Sequence, residues 1–108
     1  MDRADIELRP LVLAFAEQME LALRRNDHKT GWRECKPAWL RDKLHEELDE
    51  LTWELGIMNL SDPYLVAGDH FERLTHEAAD LANIAMMAAD NYGNLDVVHD
   101  GRGREVER

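Results

Sequence analysis

The chain has 108 residues, 44% apolar and 33% charged, and 23 acidic side chains against 13 Lys and Arg give it a formal charge of −10. That length supports one domain, and no run approaches the roughly 18 apolar residues of a membrane span. A pI near 4.8 argues against nucleic-acid binding, which needs a basic face to meet phosphates.

The opening MDRADIELRP is acidic and has no apolar stretch like a secretory leader, and the lone Cys35 has no internal disulfide partner, so a cytoplasmic setting is expected. Pro10 suits a first helical turn. The pattern predicts a helix from about Arg9 to Arg25 with Val12, Phe15, Ala16, Met19 and Leu23 on a core face. NDHKTGWRECK, residues 26–36, reads as a connector. Pro37 opens a second helix to about Met58. Its apolar stripe is Leu40, Leu44, Leu48, Leu51 and Leu55, and Trp53, on the other side, is a candidate subunit contact. NLSDPYLVAGD, residues 59–69, is a turn-rich link in which Asp62-Pro63 suits a short helical turn. Asp69 and Glu72 form a D-x-x-E capping signal for a third helix to about Asn91, which Gly93 stops. Residues 1–94 are thus read as an all-α domain and 95–108 as a polar, flexible tail.

From Ala78 to Ala89 the only charge is Asp80, and apolar residues surround the whole circumference. Such a helix must be covered on every side, which two other helices of one short chain do not manage. A helical bundle completed by oligomerisation, as a homodimer or a dimer of dimers, is expected.

On a wheel of about 100° per residue, Glu47, Glu50 and Glu54 form a ridge beside the leucine stripe, while Glu46 and Asp49 point farther outward. On the third helix Glu77 and Asp80 lie inside the apolar stripe, and no Lys or Arg occurs between Arg73 and Arg102 to neutralise them. Buried carboxylates call for a counter-charge. A divalent metal meets that need: two i, i+3 acid pairs on facing helices can close a four-carboxylate cage, and hard oxygen ligands select Mg²⁺ or Mn²⁺. A di-iron site would need Glu-x-x-His pairs, but His45 follows Asp42 and His76 follows Arg73 at that spacing. Asn83, one turn after Asp80, is a candidate to hold substrate by its amide.

EELDE, residues 46–50, followed by EAAD, residues 77–80, resembles the EExxE…ExxD signature of the MazG-like all-α nucleoside triphosphate pyrophosphohydrolases, whose relatives include the dimeric dUTPases. HKTGW (28–32), WLRDKLHEELDEL (39–51) and EAADLANIAMMAAD (77–90) look like the phage-type members, over roughly residues 11–91. The resemblance implies a helical bundle of the all-α NTP pyrophosphatase type. It also implies Mg²⁺-dependent hydrolysis of a (d)NTP to the nucleoside monophosphate and pyrophosphate. Glu47, Glu50, Glu77 and Asp80 match the metal ligands, and Glu46 and Glu47 form the doublet that would serve the attacking water. Lys29 falls where the family contacts phosphate, and Trp32 where it packs on the base. After Asp90 no fourth long helix follows, and the linker differs from that of compact relatives. Two rival readings therefore stand beside the enzyme: a catalytically weak nucleotide- or metal-binding relative, and a helical interaction module whose acids serve solubility.

Overall fold

The computed structural model describes residues 5–26, 32–60, 68–95, 98–99 and 105–106. Three helices dominate: α1 (Pro10–Arg25), α2 (Pro37–Leu60) and α3 (Gly68–Tyr92), with a 3₁₀ turn at Trp32–Glu34 ahead of α2. Pro10 lies in the first turn of α1, where its missing N–H is not needed. At the end of α3 the Gly93 N–H donates to the Ala89 carbonyl at 2.9 Å. A Cβ at Gly93 would stand 2.6 Å from that same oxygen, so a side chain there would break the closure. No helix among the described residues is long and apolar enough to cross a membrane.

α1 and α2 both pack against α3 and meet each other at most marginally. α2 and α3 are antiparallel, and the register can be followed along the seam: Glu47 lies with Asp80, Glu50 with Glu77, and Glu54 with His70 and Arg73. α1 runs in the same direction as α3. Its Ala14 and Gln18 share a recess with Glu72, Thr75 and His76, and its Met19 carbonyl accepts the Asn83 amide at 3.1 Å.

This arrangement corrects two expectations about the core. The face of α2 turned to α3 keeps Leu40 and Leu51 of the leucine stripe but otherwise runs along the neighbouring Lys43, Glu47 and Glu54, all buried or half-buried. Leu44, Leu48 and Leu55 remain 36%, 46% and 51% exposed. On α1 only Met19, Ala22 and Leu23 of the apolar residues find cover; Val12, Phe15 and Ala16 are exposed because α2 does not close over α1. Among the described residues the buried apolar side chains are Ala22, Leu40, Ala79 and Ile84. From Leu74 to Asn91 every α3 residue except Ala85 is at least half-buried.

Two local expectations also change. α3 begins at Gly68, so Asp69 is a first-turn residue and not the cap. Its carboxylate accepts from Arg73 Nη1 at 2.8 Å, one turn on, near the positive end of the helix dipole. In the tail, Val98–His99 pairs antiparallel with Glu105–Val106, in the register Val98↔Val106 and His99↔Glu105. β-branched Val98 and Val106 suit such a pairing. Asp62-Pro63 lies outside the described residues.

Four long-range hydrogen bonds fix the approach to α2 onto the end of α3. Trp32 Nε1 donates to Asp90 Oδ2 at 2.9 Å, Arg33 Nη1 to the Asp90 carbonyl at 3.3 Å, Asn91 Nδ2 to the Trp32 carbonyl at 2.7 Å, and the Tyr92 hydroxyl to the Cys35 carbonyl at 2.6 Å.

Candidate metal centre

The antiparallel seam brings four of the expected residues together: Glu47 and Glu50 from α2, Glu77 and Asp80 from α3. The i, i+3 spacing places each pair on one helical face, and the register sets the two faces against each other. Carboxylate oxygens of Glu47, Glu77 and Asp80 lie within 4.8 Å of one another, as do those of Glu46, Glu47 and Glu50. Glu47 belongs to both groups. It is only 7% exposed, and its Oε2, like Oε2 of Glu77, is buried with no hydrogen-bond partner among the described residues.

Among the described residues the one ammonium in contact with the cluster is Lys43, whose Nζ stands 3.2 Å from Glu46 Oε1 and 3.3 Å from Glu47 Oε1. Burial alone would lower the Lys43 pKa, but its hydrogen bonds to Glu46 and Glu47 outweigh that and raise it. One cation does not neutralise the group. Burial pushes the Glu47 carboxyl up, and the charge of Glu50 adds to it. Glu50 is raised first by its hydrogen bond with Glu77 and next by burial. Asp80 is raised by burial and then by the Glu47 charge. All three shifts have the sign of carboxyls crowded together without enough counter-charge.

A divalent ion fits this donor set. Ligand oxygens about 2.1 Å from one Mg²⁺ stand about 3.0–4.2 Å apart, a spacing that side-chain rotation of carboxylates already within 4.8 Å of one another can reach. The orphaned oxygens of Glu47 and Glu77 are the atoms such an ion would satisfy.

The other expected residues are placed as follows. The Glu46 side chain is 58% exposed on the outer edge of the cluster, held by Lys43. Lys29 lies outside the described residues. Trp32 is half-buried at the far end of α3, its indole N–H committed to Asp90, ten residues and so about 15 Å along the helix from Asp80. Asn83 is 4% exposed; its amide nitrogen donates to the Met19 carbonyl and so joins α3 to α1, while its Oδ1 is buried without a hydrogen-bond partner among the described residues.

A second polar group, which sequence reasoning missed, lies one turn farther along the same seam. His70, 2% exposed, places Nδ1 2.8 Å from Glu54 Oε2. The contact is close enough for an ion pair, though its alignment falls short of a directed hydrogen bond. Arg73 Nε lies 3.7 Å from Glu54 Oε1 and Nη2 lies 3.3 Å from His70 Nδ1. Glu54 thus has the His70 ring and the Arg73 guanidinium beside it, both supplied by α3.

No protein-family model, no curated protein and no solved structure matches this chain. Its class therefore rests on the helical fold and the acid cluster.

Proposed function

We propose that this protein is a Mg²⁺-dependent nucleoside triphosphate pyrophosphohydrolase, MazG-like in type, that converts a (d)NTP to the nucleoside monophosphate and pyrophosphate and works as a homo-oligomer. The observation that carries the reading is the convergence of Glu47, Glu50, Glu77 and Asp80 from two antiparallel helices, with buried oxygens on Glu47 and Glu77 left without partners. Those four residues would hold Mg²⁺, or Mn²⁺ in its place. When bound, the ion neutralises triphosphate charge, polarises the attacked phosphorus and acidifies a water.

The chain's own residues supply the rest. Glu47, shared between the two acid groups, fits ligation of two close ions. Glu46 is the exposed carboxylate beside the cluster and is suited to orient the attacking water and take its proton. Lys29 is assigned to the phosphates and the Trp32 ring to the base, on the resemblance alone. Lys43, already 3.3 Å from Glu47, is the nearest cation for a phosphate oxygen that enters.

The test is incubation with each (d)NTP and Mg²⁺, following monophosphate and pyrophosphate together. Removing a metal ligand forfeits several kcal/mol of charge stabilisation, so Glu50→Ala and Asp80→Ala should each reduce kcat/KM on the order of 10³-fold. Turnover that survives both substitutions removes the assigned site. Absence of turnover with a Mg²⁺-dependent rise in Tm leaves a binding protein, and no response to either leaves an interaction module.

A further inference from the structure

We infer that Arg25, the last residue of α1, is a substrate-binding residue that meets a phosphate oxygen of the metal-held triphosphate. The inference rests on the reading above and adds to it a contact from the one long helix that supplies no metal ligand. α1 and α2 both lie on α3 without closing on each other, so a trough runs between them with α3 as its floor. The acid centre opens into that trough. On a wheel of about 100° per residue, Asp80 stands about 60° from Glu77, in the direction of Asn83, whose amide reaches Met19 of α1. On α2, Glu50 and Glu46 turn about 60° and 100° away from Glu47 in the same sense. In two antiparallel right-handed helices, the same sense of rotation from the shared seam leads to the same side of the pair. Asp80, Glu50 and Glu46 therefore turn to the side on which α1 lies.

The α1 wall of the trough is a single line of residues. Gln18, Ala22 and Arg25 follow one another at i, i+4 and i+7, so they share a face. Gln18 borders a recess with His76 of α3, and Ala22 is 1% exposed. Arg25 continues that line to the last turn, where the Asn26 N–H donates to the Leu23 carbonyl at 3.0 Å. The neighbouring Arg24 holds Glu20 at 3.2 Å, whereas Arg25 is exposed and closes no ion pair among the described residues. Its charge still reaches the centre. Asp80, raised by burial and then by Glu47, is drawn back down first by Arg25, ahead of His76 and Lys43. A guanidinium that stands near crowded carboxylates and pairs with none of them keeps its five donors for a group that enters.

Charge identifies that group. Carboxylates that ligate Mg²⁺ no longer compete for a nearby cation, while the triphosphate brings negative charge of its own. Lys43 is already divided between Glu46 and Glu47. The planar guanidinium matches phosphate oxygens in pairs, which a compact ammonium does not. A phosphate held at the centre thus has Lys43 of α2 on one wall of the trough and Arg25 of α1 on the other.

Two measurements on the full chain test this: steady-state hydrolysis of each (d)NTP, and calorimetric titration with inorganic pyrophosphate in saturating Mg²⁺, which needs no choice of base. Circular dichroism confirms that each variant is helical. Arg25→Gln should lower kcat/KM by about 10–100-fold, the scale of a charge-assisted hydrogen bond, while Mg²⁺ alone binds within a few-fold of wild type. Arg25→Lys should restore part of the loss, and Arg24→Gln should cause none. A matching loss of pyrophosphate affinity puts the contact on the departing phosphates, and a loss in hydrolysis alone puts it on the α-phosphate. Arg25→Gln that hydrolyses and binds like wild type, or an equal loss in Arg24→Gln, overturns the inference and leaves the enzyme standing. Loss of helicity or of Mg²⁺ affinity in Arg25→Gln marks a structural role and also overturns it. A wild type that hydrolyses no (d)NTP removes the enzyme instead. The titration then decides Arg25 alone, and pyrophosphate binding that is absent or indifferent to Arg25→Gln overturns it.

Discussion

The α2–α3 seam treats its acids in two ways within a few turns. At one position Glu54 is met by His70 and Arg73 from the facing helix, and Asp69 in turn pairs with Arg73. One turn back along α2, Glu50 faces Glu77, and Glu47 faces Asp80, with Lys43 the one ammonium in contact among the described residues. Both groups lie on one ridge, in one register, at comparable depth. The difference is that the first group includes the Arg73 guanidinium and an imidazole, whereas among the described residues the second gathers four carboxylates around one ammonium. Charge balance is what separates the two groups.

The largest effect that sharpens this contrast is at His70. His70→Ala removes a fully buried ring and the partner of Glu54, and should destabilise the fold by about 2–4 kcal/mol in urea unfolding while leaving Mg²⁺ affinity within a few-fold. Loss of metal binding in that variant would merge the two groups into one.

A smaller effect distinguishes them by sign. In the absence of metal, Glu54→Gln should lower stability by about 1 kcal/mol because it weakens the contacts with Arg73 and the His70 ring. Glu47→Gln should raise stability by a similar amount because it relieves crowding with Glu50 and Asp80, with about 1 kcal/mol expected for a changed buried contact. Two losses of similar size would mean that both groups stabilise the fold alike.

The smallest effect is the pH response with chelator present. Glu47, Glu50 and Asp80 hold protons more tightly folded than unfolded, so the folded chain gains stability as pH falls from neutral. That contribution is complete below the ordinary values of 4.5 and 3.8 and is lost as pH rises through the raised folded values. Tm in EDTA should therefore climb between about pH 7 and about pH 5, and excess Mg²⁺ should flatten or reverse the slope because protons compete with the ion. A chelated Tm that falls over the same interval would contradict the crowding.

The helices were legible because their punctuation is chemical. Pro10 and Pro37 can begin a helix but not sit inside one, and Gly93 fits where a Cβ would strike Ala89. The acid cluster was legible because i, i+3 spacing fixes a face whatever the tertiary context. Which face of α2 meets α3 was not, since the leucine stripe and the acid ridge lie only about 60° apart and hydrophobicity alone favours the leucines. The Glu54–His70 pairing needs the register across the seam, and no single helix encodes that. The Val98–Val106 ladder did leave a trace, its two β-branched residues, but a polar, glycine-containing tail obscured it.

The bonds that bind residues 32–35 to the end of α3 set that register. With α2 anchored at its start, each position along it faces a fixed partner, so an insertion between Cys35 and Pro37 would turn the following helix by about 100° and scatter the four carboxylates. The molecule is indexed from its far end: the acids keep their partners only while residues 32–35 stay fastened to α3.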